Sequence, residues 1–184
     1  MKLIKIILFI LISFNTSFKV ISANDLQSIL KEEGKLIFIR HAHAPGSGDP
    51  VNFNILSCST QRNLDKKGIN VSKKIGKFFK KNNIKIDIVL SSEWCRCKDT
   101  AFHAFRNYDT KFFLNSFYDK KFRNNKKIQI TNLKKYIEEW GGKKNLVLVT
   151  HYVVISEILN YDAVSGEIII TDKNFNIKST HIIQ

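Results

Sequence analysis

The sequence is poor in acids and in long apolar stretches. Asp and Glu number 16 against 30 Lys and Arg, a formal net charge of +14, and no cluster of carboxylates occurs of the kind a catalytic metal would need. The longest apolar run near the start, residues 6–14, falls well short of the ~20 residues a helix needs to span a bilayer. No Ser/Gly/Pro-rich linker, low-complexity tract or internal repeat interrupts the chain, which argues against a multi-domain or fibrous protein. Cysteine is also scarce. Cys58, Cys95 and Cys97 place two thiols one residue apart and the third far away, a poor metal signature that argues against structural zinc.

What is present begins with an export signal. Residues 1–23 carry Lys2 and Lys5, then the apolar run, then the small pair Ser22 and Ala23, the layout of a secretory signal peptide cleaved near Ala23. The expectation is an extracytoplasmic protein, periplasmic in a bacterium, with no stable membrane span once the signal is removed. Of the 184 residues, 161 then remain, residues 24–184, enough for one domain with a substantial core. Losing Lys2, Lys5 and Lys19 lowers the net charge from +14 to +11. Such basicity fits anionic partners: phosphorylated small molecules, anionic lipid or lipopolysaccharide, or nucleic acid. The lysines are scattered in pairs (66–67, 73–74, 134–135, 143–144) and not gathered on one motif. No aromatic-interleaved basic stripe occurs, which together with export argues against nucleic acid. In an oxidising compartment Cys58 can pair with Cys95 or with Cys97, leaving one thiol over.

The order of elements is legible from periodicity. The run LIFIR at residues 36–40 has no polar alternation and reads as a strand buried on both faces. Residues 41–64 are loop-like, with Pro45, Gly46, Gly48 and Pro50. Residues 64–82 read as a helix capped by Asp65, with Val71, Ile75, Phe78 and Phe79 on one face. IDIVLSS follows as a second buried strand, then a helix from about residue 93 to 105. FFLNSF at 112–117 is a possible strand, 130–140 a helix stopped by Gly141 and Gly142, LVLVT a third buried strand, 152–159 a short helix and GEIIITD a last strand. Alternation of this kind predicts a three-layer α/β/α sandwich with a mainly parallel central sheet.

In such sheets ligands gather at the carboxyl ends of the strands. The first strand ends in Arg40-His41, the second in Ser91-Ser92 with Arg96 soon after, and the third in Thr150-His151. Two guanidinium forks can bind phosphate oxygens bidentately and neutralise charge building in a transition state. An imidazole can attack phosphorus and split hydrolysis into two steps. With this much fixed positive charge no metal and no cofactor is required.

Arg40-His41-Ala42, SSEWCRCKDTA at residues 91–101, Val149-Thr150-His151 and QRNLDKKG at 61–68 resemble, in order, the motifs of the histidine phosphatase superfamily, the phosphoglycerate mutase-like fold. The resemblance implies a metal-independent phosphomonoester hydrolase. His41 would be the nucleophile, and Arg40, Arg96 and His151 would line the phosphate pocket. Arg62 and His43 are further candidates for substrate binding. For the acid that protonates the leaving oxygen, Asp119 is the first candidate, with Glu93 and Asp49 as alternatives. Ala42 stands where the family has Gly, and Tyr152 follows the second histidine where some members carry an acid. The expected substrate is a phosphorylated small molecule or an envelope phosphate. The alternative is a catalytically weak or inactive phosphate-binding or envelope-interaction module on the same fold.

Overall fold

The structure, a computed structural model, describes residues 28, 29 and 31–183. The signal-peptide reading of residues 1–23 lies outside them. The elements are β1 (Leu36–Arg40), α1 (Lys66–Lys81), β2 (Ile86–Ser91), α2 (Cys95–Phe105), β3 (Asp109–Thr110), α3 (Lys126–Glu139), β4 (Asn145–Thr150), α4 (Tyr152–Leu159), β5 (Glu167–Thr171) and β6 (Ile177–Ile182). Among the described residues, no helix is long and apolar enough to cross a membrane.

The six strands form one sheet in the order β3-β2-β4-β1-β5-β6. β1 pairs with β4, β4 with β2 and β2 with β3 in parallel, while β5 and β6 run antiparallel to their neighbours. Alternate side chains of the central strands serve two cores. Leu36, Phe38, Leu146 and Leu148 pack with Leu133 and Ile137 of α3 and with Val154 and Ile155 of α4. Ile37, Ile39, Val147 and Val149 pack with Ile75 and Phe79 of α1 and with Cys97 and Ala101 of α2. Helices therefore cover both faces, which is why β1 and β4 read as unbroken apolar runs. Each such side chain contributes roughly 1.5–3 kcal/mol by burial.

Three features depart from the expectation. The 112–117 segment is not a strand: β3 is the preceding Asp109–Thr110, and Phe112–Leu114 form a 3-10 turn. Its apolar content reflects burial of Phe113 and Leu114 in the core, and Gln129 Nε2 donates to the carbonyls of Phe112 and Asn115 to hold the turn. The last predicted strand, β5, is antiparallel to β1. Residues 160–166 bring the chain back to the carboxyl edge of the parallel strands, where the Gly166 amide donates to the carbonyls of Arg40 and His41. A strand starting from that edge can only run the other way. β6 escaped prediction because it pairs on one side only and exposes most of its residues.

Asp65 caps α1 as expected, its carboxylate accepting from the Gly68 amide at 2.8 Å. Gly68 itself has a steric reason: a Cβ there would lie 2.1 Å from the His43 carbonyl oxygen. The helix thus presses directly against the loop that leaves β1. Cys58 bonds to Cys95, and Cys97 stays a buried free thiol. The disulfide fastens the loop of residues 41–64 to the first residue of α2.

Candidate active site

The carboxyl edge of β1, β2 and β4 opens into a cleft of about 330 Å³ lined by Arg40, His41, Arg62, Arg96 and His151, with His43 and Asp119 at its rim. His41 continues β1 by one residue, its amide donating to the Thr150 carbonyl at 2.9 Å. Only 2% of it is exposed. Its Nδ1 lies 2.9 Å from the Ala42 carbonyl, an oxygen that can only accept, so the proton sits on Nδ1. Nε2 is left as a lone pair, and Arg96 Nε donates to it at 3.2 Å. Burial, then the neighbouring Arg96, pushes the His41 pKa well below the usual imidazole value. Ala42 serves this arrangement without strain: its φ is not positive, and its amide donates to Thr100 Oγ1.

His151 caps α4, its ring centre 5.3 Å from that of His41. A chain of hydrogen bonds sets its tautomer. Asn115 Nδ2 donates to the Glu93 carboxylate, so Asn115 Oδ1 is an acceptor, taking bonds from the Glu93 amide and from Ser92 Oγ. With its one hydrogen committed, Ser92 Oγ must accept from His151 Nε2 at 2.9 Å. Nε2 carries the proton, and Nδ1 makes no bond to the described residues. Burial, then Arg96 and His41, lowers the His151 pKa well below normal. The free thiol of Cys97 lies 3.4 Å from the same Nε2, and burial pushes it up to about 12, so it stays protonated. Neither Ser92 nor Asn115 stood out as a site residue in the sequence, because this relay joins segments 23 and 59 residues apart.

The three candidate carboxylates separate cleanly. Glu93 is absent from the cleft lining and is tied to Asn115 behind it, which removes it as an acid for a substrate. Asp49 lies in the cleft but is held by Arg96 through both oxygens, Nη1 to Oδ1 at 2.8 Å and Nη2 to Oδ2 at 3.2 Å. It also accepts from the Arg62 amide and from Trp94 Nε1. Burial works to raise its pKa, but these donors outweigh it and the net shift is downward, so Asp49 stays ionised. Its role is to fix the plane of the Arg96 fork. Asp119 remains at the rim, its carboxylate accepting only from the Lys121 amide.

Arg62 reaches the cleft yet chiefly shapes it. Its guanidinium donates to the carbonyls of Ala44, Gly46 and Gly48, leaving Nη2 open. His43 Nδ1 pairs with Asp65 at 2.9 Å. Arg40 Nη1 donates to the Ala163 carbonyl at 2.7 Å and its guanidinium lies over the Tyr152 ring, but its buried Nε has no partner among the described residues. Trp94, Tyr118, Phe122 and Tyr152 line the outer walls.

The buried neutral imidazoles make stability depend on pH. Above about pH 6.5 both folded and unfolded rings are neutral; below it the unfolded chain takes up protons that the folded rings refuse. Stability is therefore lost as pH falls from about 6.5 toward the lowered folded values, at up to about 1.4 kcal/mol per pH unit for each ring. Denaturant midpoints at pH 7.5, 6.5 and 5.5 measure this. A midpoint unchanged to pH 5.5 would show that the two rings titrate normally.

No family model matches the chain, and no curated protein matches it. Solved structures do. The protein histidine phosphatase SixA complexed with tungstate superposes with a TM-score of 0.54 at 16% identity, covering 79% of this chain and 95% of that one. Phosphoglycerate mutase from Thermus thermophilus gives 0.58 at 12% identity, covering 82% and 99%. Phosphoserine phosphatase from Entamoeba histolytica, in complex with 3-phosphoglyceric acid, gives 0.55 at 16% identity, covering 82% and 98%.

Proposed function

With a phosphoglycerate mutase-like fold as its premise, we propose that this protein hydrolyses phosphomonoesters without a metal, through a phosphoryl group carried on His41, in the cell envelope. The observation that carries the reading is the state of the cleft. A neutral imidazole offers Nε2 as a lone pair in a cleft that Arg40, Arg62 and Arg96 also line. A phosphoryl group supplies an electrophile for the lone pair and oxygens for the guanidinium donors. The oxyanion in SixA, tungstate, has the same tetrahedral form. The envelope setting rests on residues 1–23 and, in part, on the Cys58–Cys95 bond.

In the first step His41 Nε2 bonds to phosphorus as the ester P–O bond breaks, and the leaving oxygen takes a proton. Arg40, Arg96 and the open Nη2 of Arg62 take the equatorial oxygens. A phosphate dianion between these groups favours a second proton on His151, whose Nδ1–H then donates to it. In the second step water attacks the phosphoryl group and gives a proton to the carboxylate that the first step left ionised, as the P–N bond breaks, releasing phosphate and restoring Nε2. Asp119, the cleft carboxylate not bound by an arginine, is assigned the proton of the leaving oxygen.

The test is turnover of chromogenic and alkyl phosphomonoesters by the purified protein in the presence of a chelator. Chelator-resistant turnover is expected. Asp119→Asn will slow an alkyl phosphate by about 10²-fold, in the range for a positioned acid, and p-nitrophenyl phosphate far less, because its leaving group needs no proton. Equal slowing of both esters would remove Asp119 from that role, and chelator-sensitive turnover would overturn the metal-free reading.

A further inference from the structure

Two of the lysine pairs that look scattered in the sequence, 66–67 and 73–74, are gathered by α1 together with Lys77, Lys80 and Lys81. Lys66, Lys67, Lys73, Lys74, Lys77, Lys80 and Lys81 all lie on this one helix and all are exposed. At about 100° per residue they fall within an arc of about 140°, opposite the buried Gly68, Ser72, Ile75 and Phe79. The helix is about 24 Å long at 1.5 Å per residue. No acidic residue occurs between Asp65 and Asp87 to break the stripe. Lys66, Lys67, Lys73, Lys77, Lys80 and Lys81 form no ion pair among the described residues.

A Lys-rich composition alone does not produce this. On α3 the same lysines are mixed with acids: Lys135 faces Glu139 at 3.8 Å, and Lys126 pairs with Glu157 of α4 at 2.6 Å. α1 is a lysine ridge of one sign, and like charges on one helix face are destabilising unless something negative lies against them.

We propose that the α1 ridge docks this protein on an anionic lipid bilayer surface. Two observations favour a bilayer. The ridge lies on one face of a single helix and contains no arginine, so it offers point charges to a diffuse negative surface and no forks for individual phosphates. It presents no open aromatic face for stacking bases: Phe79 is buried and Phe78 is stacked on His181 at 4.9 Å. The helix also begins at the edge that carries the cleft, where Gly68 meets His43. Docking through α1 would hold the cleft close to membrane-borne anions.

The experiment is co-sedimentation of the full chain with vesicles of phosphatidylglycerol and phosphatidylcholine in equal parts, and with phosphatidylcholine alone, at low and high salt. Binding to the anionic vesicles is expected, lost at high salt. At about fivefold per charge removed, Lys73→Gln/Lys77→Gln/Lys80→Gln will weaken it by about a hundredfold. The charge-matched control Lys127→Gln/Lys134→Gln/Lys135→Gln on α3 will change it by less than about tenfold. Circular dichroism checks that both variants fold, and turnover of a soluble phosphomonoester will be the same in both. Equal losses in the two variants would reduce the effect to net charge and overturn the proposal. So would equal binding to both vesicle types, or binding of duplex DNA, with the vesicles ignored, that the α1 substitutions abolish.

Discussion

Replacing His41 by alanine will lower phosphomonoester turnover by at least about 10⁴-fold, the scale on which removal of a covalent nucleophile acts, and leave the chain folded. The loss is this large because the two nearest nucleophilic groups cannot take the role. With a phosphate dianion bound, His151 carries a proton on both ring nitrogens and has no free lone pair, and the Cys97 thiol is buried and held protonated at a pKa of about 12. Folding survives because the strand bond at this position is made by the backbone, from the amide of residue 41 to the Thr150 carbonyl. His41→Asn, which keeps a polar group in the buried site, will be equally inactive. Turnover within about tenfold of the parent in either variant would remove His41 from the reaction.

Arg96→Ala will cost about 2–4 kcal/mol of transition-state stabilisation, a fall of roughly 10²–10³ in rate, the range for losing one preorganised donor. It touches three things at once. Arg96 Nε holds the lone pair of His41, its two Nη groups meet both oxygens of Asp49, and its charge depresses the pKa of both cleft histidines. Removing it leaves Asp49 as a half-buried carboxylate without its ion pair, so part of the loss will appear as instability. Asp49→Asn alone keeps the guanidinium and releases its plane. The rate of the double variant Asp49→Asn/Arg96→Ala, set against the two single ones, separates positioning from phosphate binding. Arg96→Lys will not rescue, because one ammonium cannot span both Asp49 oxygens and His41 Nε2. An unchanged rate in Arg96→Ala would place this residue outside the reaction.

Much of this was legible in the sequence for simple physical reasons. β1 and β4 sit between two helical layers, so their apolar runs are unbroken, and strands of that kind declare themselves. Their ends deliver Arg40, His41 and His151 to one edge, and α2 adds Arg96 in its first turn. What the sequence hid depends on partners far along the chain. FFLNSF reads as a strand until Phe113 and Leu114 are seen packing under the sheet edge from a 3-10 turn. β6 lacks an apolar run because one of its sides faces solvent. Asp49 cannot be told from a surface acid without Arg96 47 residues away, and Glu93 cannot be dismissed without Asn115. Lysine pairs 66–67 and 73–74 look scattered until one helix turns them to the same side.

The central claim is that His41 Nε2 bonds covalently to phosphorus. The most direct measurement mixes the protein with a phosphomonoester for less than one turnover, stops the reaction in alkaline denaturant, where phosphohistidine survives, and reads the intact mass and then the peptide holding residue 41. A transient phosphoryl adduct on His41, absent in His41→Ala and decaying as free phosphate appears, is the predicted result. Turnover with no adduct at any time, or an adduct on another residue, would contradict the account.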